Sequence, residues 1–110
     1  MNKQLTIIGT NHGKANSRIW IEGKRLVESG FTVGKKYSRD ATDDSIVLYL
    51  DVGGVYKVSG KGDKPIIDTT GKVVREVFPD TGDDTAKQVI EVTYEQGVIT
   101  FRRAEKEVPK

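Results

Sequence analysis

The chain has 110 residues, no cysteine and a formal net charge of +2. This length suits a single domain, and the absence of cysteine excludes a disulfide framework and a thiolate metal site. No apolar run approaches the ~20 residues of a membrane span, and the apolar stretch near the N-terminus is too short for a signal peptide. We therefore expect a cytoplasmic protein that has no membrane partner.

Most apolar runs are short and rich in β-branched residues, which predicts strands. In chain order, strands are predicted at residues 5–8, 18–21, 36–39, 45–51, 55–59, 66 onward, 88–94 and 98–103. The last two are expected to form a hairpin around residues 95–97. Residues 10–17 are expected to be a polar turn, and residues 59–64 a flexible connection. The charged tail, residues 104–110, is expected to fray.

Two segments, residues 23–30 and 71–78, interrupt the strand pattern and are predicted to be short helices. Each begins with Gly-Lys and carries a Lys and a Glu four residues apart, which are neighbours on a helix surface. Gly30 is placed to end the first helix in the left-handed conformation, and Pro79 helps to end the second. Neither helix is long enough to be stable alone.

The order of predicted elements repeats along the chain. Residues 18–50 and 64–103 both contain a strand, a short helix and two further strands. In this alignment Ile21 matches Ile67 and Gly23 matches Gly71, so two residues are inserted near Thr69. Two such units can pair about a pseudo-twofold axis and close a small barrel. The sequence therefore predicts a mainly β single domain, residues 1–110, that is a monomer with an internal pseudo-dimer.

The segment from Ile19 to Gly34 contains an aliphatic strand, a glycine, a short helix with Leu26 and then Gly-Phe-x-x-Gly. This pattern resembles the SymE-like branch of the AbrB-type swapped-hairpin superfamily. The resemblance covers residues 18–50 well and residues 64–103 loosely, since the second copy has Val-Phe-Pro where the first has Gly-Phe. It implies a swapped-hairpin fold and DNA binding by a pair of units, here supplied within one chain. SymE-like proteins are also toxins linked to RNA, so the resemblance spans several activities.

Conventional catalytic and metal sites are not indicated. His12 lacks any sign of an orienting partner and is interpreted as a turn residue. The acidic runs at residues 40–44 and 80–84 lack the complete pattern of a calcium loop and are interpreted as solvated turns. Gly-Lys fragments near residues 13 and 61 lack the Walker pattern. We therefore predict no enzymatic activity, no cofactor and no metal.

Basic residues are the remaining candidates for a binding site. Residues 1–55 carry 8 basic and 6 acidic side chains, whereas residues 56–110 carry 10 of each, so any basic face is expected to lean on the first half. Clustered basic side chains neutralise phosphates and position a duplex, whereas dispersed ones form an ordinary mixed-charge surface. The candidate nucleic-acid contacts are Lys14, Arg18, Lys24, Arg25, Lys35, Lys36, Lys61 and Lys64, with Arg39 beside the first group and Lys72 in the second.

Two aromatic residues of the first unit, Trp20 and Phe31, could stack on bases, although packing in the core or between units is the commoner role. One core shared by both units is predicted from the apolar pattern. Its expected members are Ile21, Leu26, Phe31, Ile46, Leu48, Ile67, Val74, Phe78, Val92 and Ile99.

Three hypotheses for function follow. The first is a DNA-binding module that contacts phosphates. The second is a protein–protein inhibitor of the phage anti-defence, anti-CRISPR kind, suggested by small size and near-neutral charge, with a protein of a defence complex as its partner. The third is an RNA-targeting toxin, which rests on the SymE resemblance alone.

Overall fold

Ten strands and two short helices make up the parts of the chain that the computed structural model describes, residues 2–7, 9–11, 14–78 and 89–103. The fold is mainly β and all strand pairs are antiparallel. The strands are β1 (Asn2–Ile7), β2 (Gly9–Asn11), β3 (Lys14–Glu22), β4 (Lys36–Ala41), β5 (Ser45–Leu50), β6 (Tyr56–Lys57), β7 (Ser59–Lys61), β8 (Lys64–Thr70), β9 (Val89–Glu95) and β10 (Val98–Arg103). The helices are α1 (Lys24–Glu28) and α2 (Lys72–Val77).

The strands form two sheets. The larger has the order β1-β9-β10-β5-β4-β6, and the smaller has the order β2-β3-β8-β7. Over the described residues these are two open sheets, and a closed barrel is not observed there. The predicted hairpin between β9 and β10 is present, with Glu95 opposite Val98.

Strands from the two halves of the chain pair with each other in both sheets. The central pair of the small sheet is β3 with β8, and the central pair of the large sheet is β5 with β10. Outside these, β1 pairs with β9 from the second half, and β6 pairs with β4 from the first half. Each half of the chain therefore completes a sheet edge for the other.

The core lies between the sheets and follows from the alternation of side chains along each strand. In β3, Ile19 and Ile21 are buried, whereas Trp20 and Glu22 between and after them are exposed. All ten predicted core residues are at most 2% exposed and belong to one cluster, so this prediction is confirmed. Further members of the cluster include Ile19, Val58, Ile90, Tyr94 and Phe101.

Both predicted helices are present, one or two residues shorter at their ends than the sequence indicated. Each follows a glycine that serves as its N-cap without a side-chain hydrogen bond. Gly30 ends α1 as predicted, with φ of 89°. The amide of Phe31 donates to the carbonyl of Leu26 at 2.8 Å, and that of Gly30 donates to Val27 at 3.0 Å, the pattern of a Schellman motif. Pro79 lies outside the described residues.

Two segments expected to be turn or linker are hairpins instead. Residues 59–64 form β7, a two-residue turn and the start of β8, with Lys61 opposite Lys64. Likewise β2 pairs with the beginning of β3, where the sequence suggested a polar turn. The sequence pattern missed these strands because each is a three-residue edge strand without an aliphatic or aromatic side chain, Gly-Thr-Asn in β2 and Ser-Gly-Lys in β7.

No helix within the described residues is long and apolar enough to cross a membrane.

Candidate nucleic-acid interface

Two pairs of lysines lie directly opposite each other across neighbouring strands. Lys36 of β4 faces Lys57 of β6, and Lys61 of β7 faces Lys64 of β8. All four are exposed. Like charges directly opposite each other destabilise a sheet, so each pair costs stability unless an anion lies nearby. The fold therefore places like positive charges opposite each other at two positions where this arrangement lowers the stability of the sheet.

The segment from β6 to β7 brings the two pairs to the same part of the molecule. Its central residue, Val58, is 2% exposed and anchors the segment in the core. The amide of Val58 donates to the carbonyl of Lys35 at 2.9 Å, and the amide of Gly34 donates to the carbonyl of Val58 at 3.0 Å. Lys35, which is exposed, thus lies beside the chain that joins the lysine pairs.

A further lysine, Lys24, lies at the end of the small sheet where β8 begins. The amide of Gly23 donates to the carbonyl of Pro65 at 3.1 Å, so the start of α1 is adjacent to the start of β8. We call the six exposed lysines of this region the lysine surface: Lys24, Lys35, Lys36, Lys57, Lys61 and Lys64.

No member of the lysine surface forms an ion pair with another residue of the described ranges. The ion pairs found there join Lys3 to Glu91, Arg18 to Asp68, and Lys72 to Glu76. Within these ranges the positive charges of the lysine surface are therefore not neutralised by a carboxylate.

A groove of about 440 Å³ borders the lysine surface, lined by Gly34, Lys35, Lys36, Leu50, Asp51 and Val52. Its carboxylate is already engaged. Asp51 accepts hydrogen bonds from the Ser38 hydroxyl at 2.7 Å and from the Gly53 amide at 3.0 Å. The hydrogen bond from Ser38, followed by that from Gly53, lowers the pKa of Asp51 below its ordinary value. The carboxylate is thus fixed by Ser38 of β4 and by the loop that follows β5.

Two predicted contact residues lie elsewhere. Arg18 is on the outer face of the small sheet, where its Nε is 3.0 Å from Oδ1 of Asp68. Arg25 lies close enough to Tyr94 of β9 to oppose the rise that burial causes in the pKa of that phenol, which still reaches about 12. Arg39 packs over the ring of Tyr56, with its Cζ 4.4 Å from the ring centroid. The three arginines of the first half thus lie in three different environments and do not form one basic cluster.

Other candidates have separate outcomes. Lys14 begins β3, but its side chain and all of His12 lie outside what the structure describes. The acidic run at residues 40–44 ends β4 and forms a turn in which the Thr42 hydroxyl donates to Asp44 at 3.1 Å. The run at residues 80–84 is not among the described residues. Across the described ranges, no three side chains of the metal-binding types converge on a common point.

The aromatic candidates are separated by their burial. Phe31 is fully buried and packs edge-on against Tyr37, with the ring centroids 6.1 Å apart. It therefore cannot stack on a base. Trp20 retains 40% exposure on the outer face of the small sheet.

Lys57 is not among the contact residues predicted from the sequence. Its half of the chain has no net charge. The one available signal was the spacing of Lys57, Lys61 and Lys64 in a stretch containing a single acidic residue, Asp63. Only the pairing of β6 with β4 brings Lys57 beside Lys36.

Comparison of the chain with protein-family models, with curated proteins and with solved structures finds no match. Function is therefore inferred from the geometry and charge of the described residues.

Proposed function

We propose that the chain is a non-enzymatic DNA-binding module whose lysine surface contacts the phosphates of a duplex. The observation that carries this proposal is the pair of lysine–lysine juxtapositions, Lys36 with Lys57 and Lys61 with Lys64. A phosphate placed between two such ammonium groups relieves their repulsion and gains charge-assisted hydrogen bonds. Contacts of this kind position a protein on DNA without reading its sequence.

The fold supports a two-unit arrangement of the AbrB-like, swapped-hairpin kind. The central strand pairs, β3 with β8 and β5 with β10, each join equivalent strands of the two halves, and the outer pairs exchange strands between the halves. We include in the proposal a pseudo-twofold axis between the halves. A structure determined by experiment in which residues 18–50 and 64–103 fail to superpose would contradict this part.

Salt dependence of binding to a labelled duplex provides the test. Each phosphate neutralised in B-DNA contributes about 0.9 to the slope of log affinity against log salt concentration. Replacing both Lys36 and Lys57 by Ala should weaken binding to all duplex sequences alike and flatten the slope by about 0.9, because the pair holds one phosphate. Fluorescence anisotropy over a series of salt concentrations measures both quantities.

Lysines that already have carboxylate partners are the matched controls. Lys3 is 3.5 Å from Glu91, and Lys72 is 3.7 Å from Glu76. Replacing both by Ala removes the same net charge as the test variant, but it should leave the slope nearly unchanged. Equal effects of the two double variants, or no duplex binding by the unmodified chain at low salt, would refute the proposal.

A charge reversal separates binding from stability. Lys57→Glu turns a repulsive cross-strand pair into an attractive one, so folding should be stabilised by about 0.2–1 kcal/mol. Duplex affinity should fall, because the same substitution puts a carboxylate on the lysine surface. Urea denaturation and anisotropy on the same variant test both directions. A variant that is less stable and binds equally well would show that Lys57 has a structural role only.

A protein–protein inhibitor of the anti-defence kind is the second candidate function. It is favoured by the loop after β5, where Val52 is 94% exposed and Val55 is 85% exposed. Valines on a loop tip gain free energy when a partner covers them. A DNA-free pull-down with purified defence-complex proteins tests this function, and replacing both valines by Ser should abolish any capture.

A further inference from the structure

The outer face of the small sheet presents the chain's single tryptophan. Because β3 alternates, Ile19 and Ile21 point into the core and Trp20 points away from it, with 40% of its surface exposed. Directly across the strand pair, Trp20 faces Asp68, and Glu22 faces Ile66. An indole on an open sheet face, with a half-buried aliphatic neighbour, is suited to stacking contacts.

Arg18 organises this face. Its guanidinium carbon lies 4.7 Å from the centroid of the Trp20 ring, and its Nε is 3.0 Å from Oδ1 of Asp68. The indole is therefore one layer of a short stack whose other layer is a planar cation. Asp68 holds that cation in place and is itself neutralised by it. With 40% of its surface exposed, the indole offers a planar ligand a contact beside this cation.

Positive charge lies at one end of the same face. Side chains at alternate positions of β8 share a face, which places Lys64 with Ile66 and Asp68, and Lys61 lies opposite Lys64. Asp68 lies four positions after Lys64 along the strand, about 13 Å away between Cα atoms. Anionic groups beside a base stacked at Trp20 are thus within reach of both lysine side chains.

We propose that this face binds an unpaired nucleobase of a single strand, which stacks on the layer formed by Trp20 and Arg18, while the strand's phosphates contact Lys61 and Lys64. This goes beyond duplex contact, since bases within a duplex have their faces covered by neighbouring pairs. Glu22 of β3 lies opposite Ile66, near the lysine end of this face, and has no ion pair with any described residue. Its carboxylate repels phosphate, so the phosphates are expected to contact Lys61 and Lys64 on the β7 side of the sheet, away from β3.

Fluorescence of Trp20 reports the proposed contact directly. The full-length chain is titrated with a 12-nucleotide oligo-dT, a 12-nucleotide oligo-U and a 12-base-pair duplex at low salt. The single strands should quench the emission, and the duplex should not. A preference for oligo-U would indicate a contact to the 2′-hydroxyl, whereas equal quenching by both would indicate stacking and phosphate contacts alone.

Variants measured by anisotropy of labelled oligonucleotides complete the test. Trp20→Ala should weaken single-strand binding about 5-fold to 150-fold, and Trp20→Phe should retain part of the affinity. Duplex binding should change less than about twofold in both. Val89→Ala, at a large-sheet position that is 41% exposed, is the matched control and should change neither. Thermal unfolding verifies that each variant is folded.

The outcomes separate this inference from the proposed duplex contact. Quenching by single strands without any duplex binding would contradict the proposed function and uphold the stacking site. Duplex binding without quenching, or equal affinity of Trp20→Ala and the unmodified chain for single strands, would overturn the stacking site. If the face around Trp20 binds a protein partner instead, single strands should not quench the emission and Trp20→Ala should not change their affinity.

Discussion

The two helices begin alike and end differently. Gly23 precedes α1 with φ of 97° and ψ of −155°, and Gly71 precedes α2 with φ of 102° and ψ of −165°. At the other end, α1 is closed by Gly30, whereas the residue that closes α2, Phe78, has φ of −122° and ψ of 71°. The two helices therefore start with the same backbone conformation, whereas the backbone at each helix end differs and suits its own neighbouring residues. For α1 that neighbour is Gly97, whose amide donates to the carbonyl of Ser29 at 2.8 Å.

Burial shows how the strands before the helices correspond. Counting back from the two glycines matches Ile19 with Ile67 and Ile21 with Thr69, and all four are buried. The sequence alignment matched Ile21 with Ile67, which in the structure are cross-strand neighbours. The length difference lies instead in β3, which is two residues longer than β8 and contains the register shift against β2. A hydroxyl in one half thus occupies the position of an aliphatic side chain in the other.

The largest expected effect comes from the aromatic residues beside the helix ends. Phe31 and Phe78 are both fully buried. Replacing either by Ala should lower the free energy of unfolding by about 3–5 kcal/mol, because each substitution leaves a large cavity. Urea denaturation measures the two losses. A melting temperature unchanged by either substitution would contradict the shared core.

The entry glycines give the next largest effect. Their conformation is essentially restricted to glycine, so Gly23→Ala and Gly71→Ala should each cost about 1–3 kcal/mol. The cost is conformational, since an added Cβ meets no atom within 4 Å at either position. Equal losses of unfolding free energy in the two variants would support the equivalence of the two helix starts. An Ala that costs no stability at one of the two positions would contradict that equivalence.

The buried hydroxyl of the second half is expected to reduce stability. Oγ1 of Thr69 has no hydrogen-bond partner among the described residues, and the residue is 1% exposed. Thr69→Val keeps the shape and removes an unsatisfied polar group, so it should stabilise the fold by about 1–2 kcal/mol. Thr70→Val, which changes a half-exposed neighbour on the opposite face, is the control. A destabilised Thr69→Val would show that the hydroxyl has a partner in solution.

The smallest effect concerns the two outer strands that the halves exchange. Tyr94 donates a hydrogen bond to Gln4 at 2.6 Å and so ties β1 to β9. Tyr94→Phe should cost about 0.5–1.5 kcal/mol at neutral pH. Tyr37, which stacks on Tyr56 of β6, is the corresponding aromatic at the other edge.

Burial of the Tyr94 phenol also predicts that the stability of the fold depends on pH. Burial raises the pKa of Tyr94 from 10.0 to about 12, so the folded state favours the protonated phenol. The resulting stability is fully present below pH 10 and is lost as the pH rises through about 12. Unfolding free energies across this window should fall more steeply in the unmodified chain than in Tyr94→Phe. Parallel curves would show that another group governs alkaline stability.

Local patterns in the sequence predicted the core and the helices. They did not predict which residues far apart in sequence contact each other. Alternation identified Leu48 and Ile99 as buried, and Gly-Lys marked both helix starts. Nothing in the sequence near Arg18 shows that its partner is Asp68, fifty residues away. The lysine surface depends on the same kind of information, since Lys36 and Lys57 meet only through an edge strand of two residues. Short polar edge strands carry too few apolar side chains to be recognised.

Pairing of the first strand with the ninth also sets the order of events during synthesis. Asn2 lies opposite Tyr94, so β1 lacks its β9 partner until about ninety further residues have been translated. At about 5–20 residues per second, the wait is on the order of 5–20 seconds. For that time an exposed strand containing Leu5 must avoid pairing with other nascent chains. The large sheet is therefore completed only after β9 has been synthesised, and co-translational protection of β1 becomes a requirement of this topology.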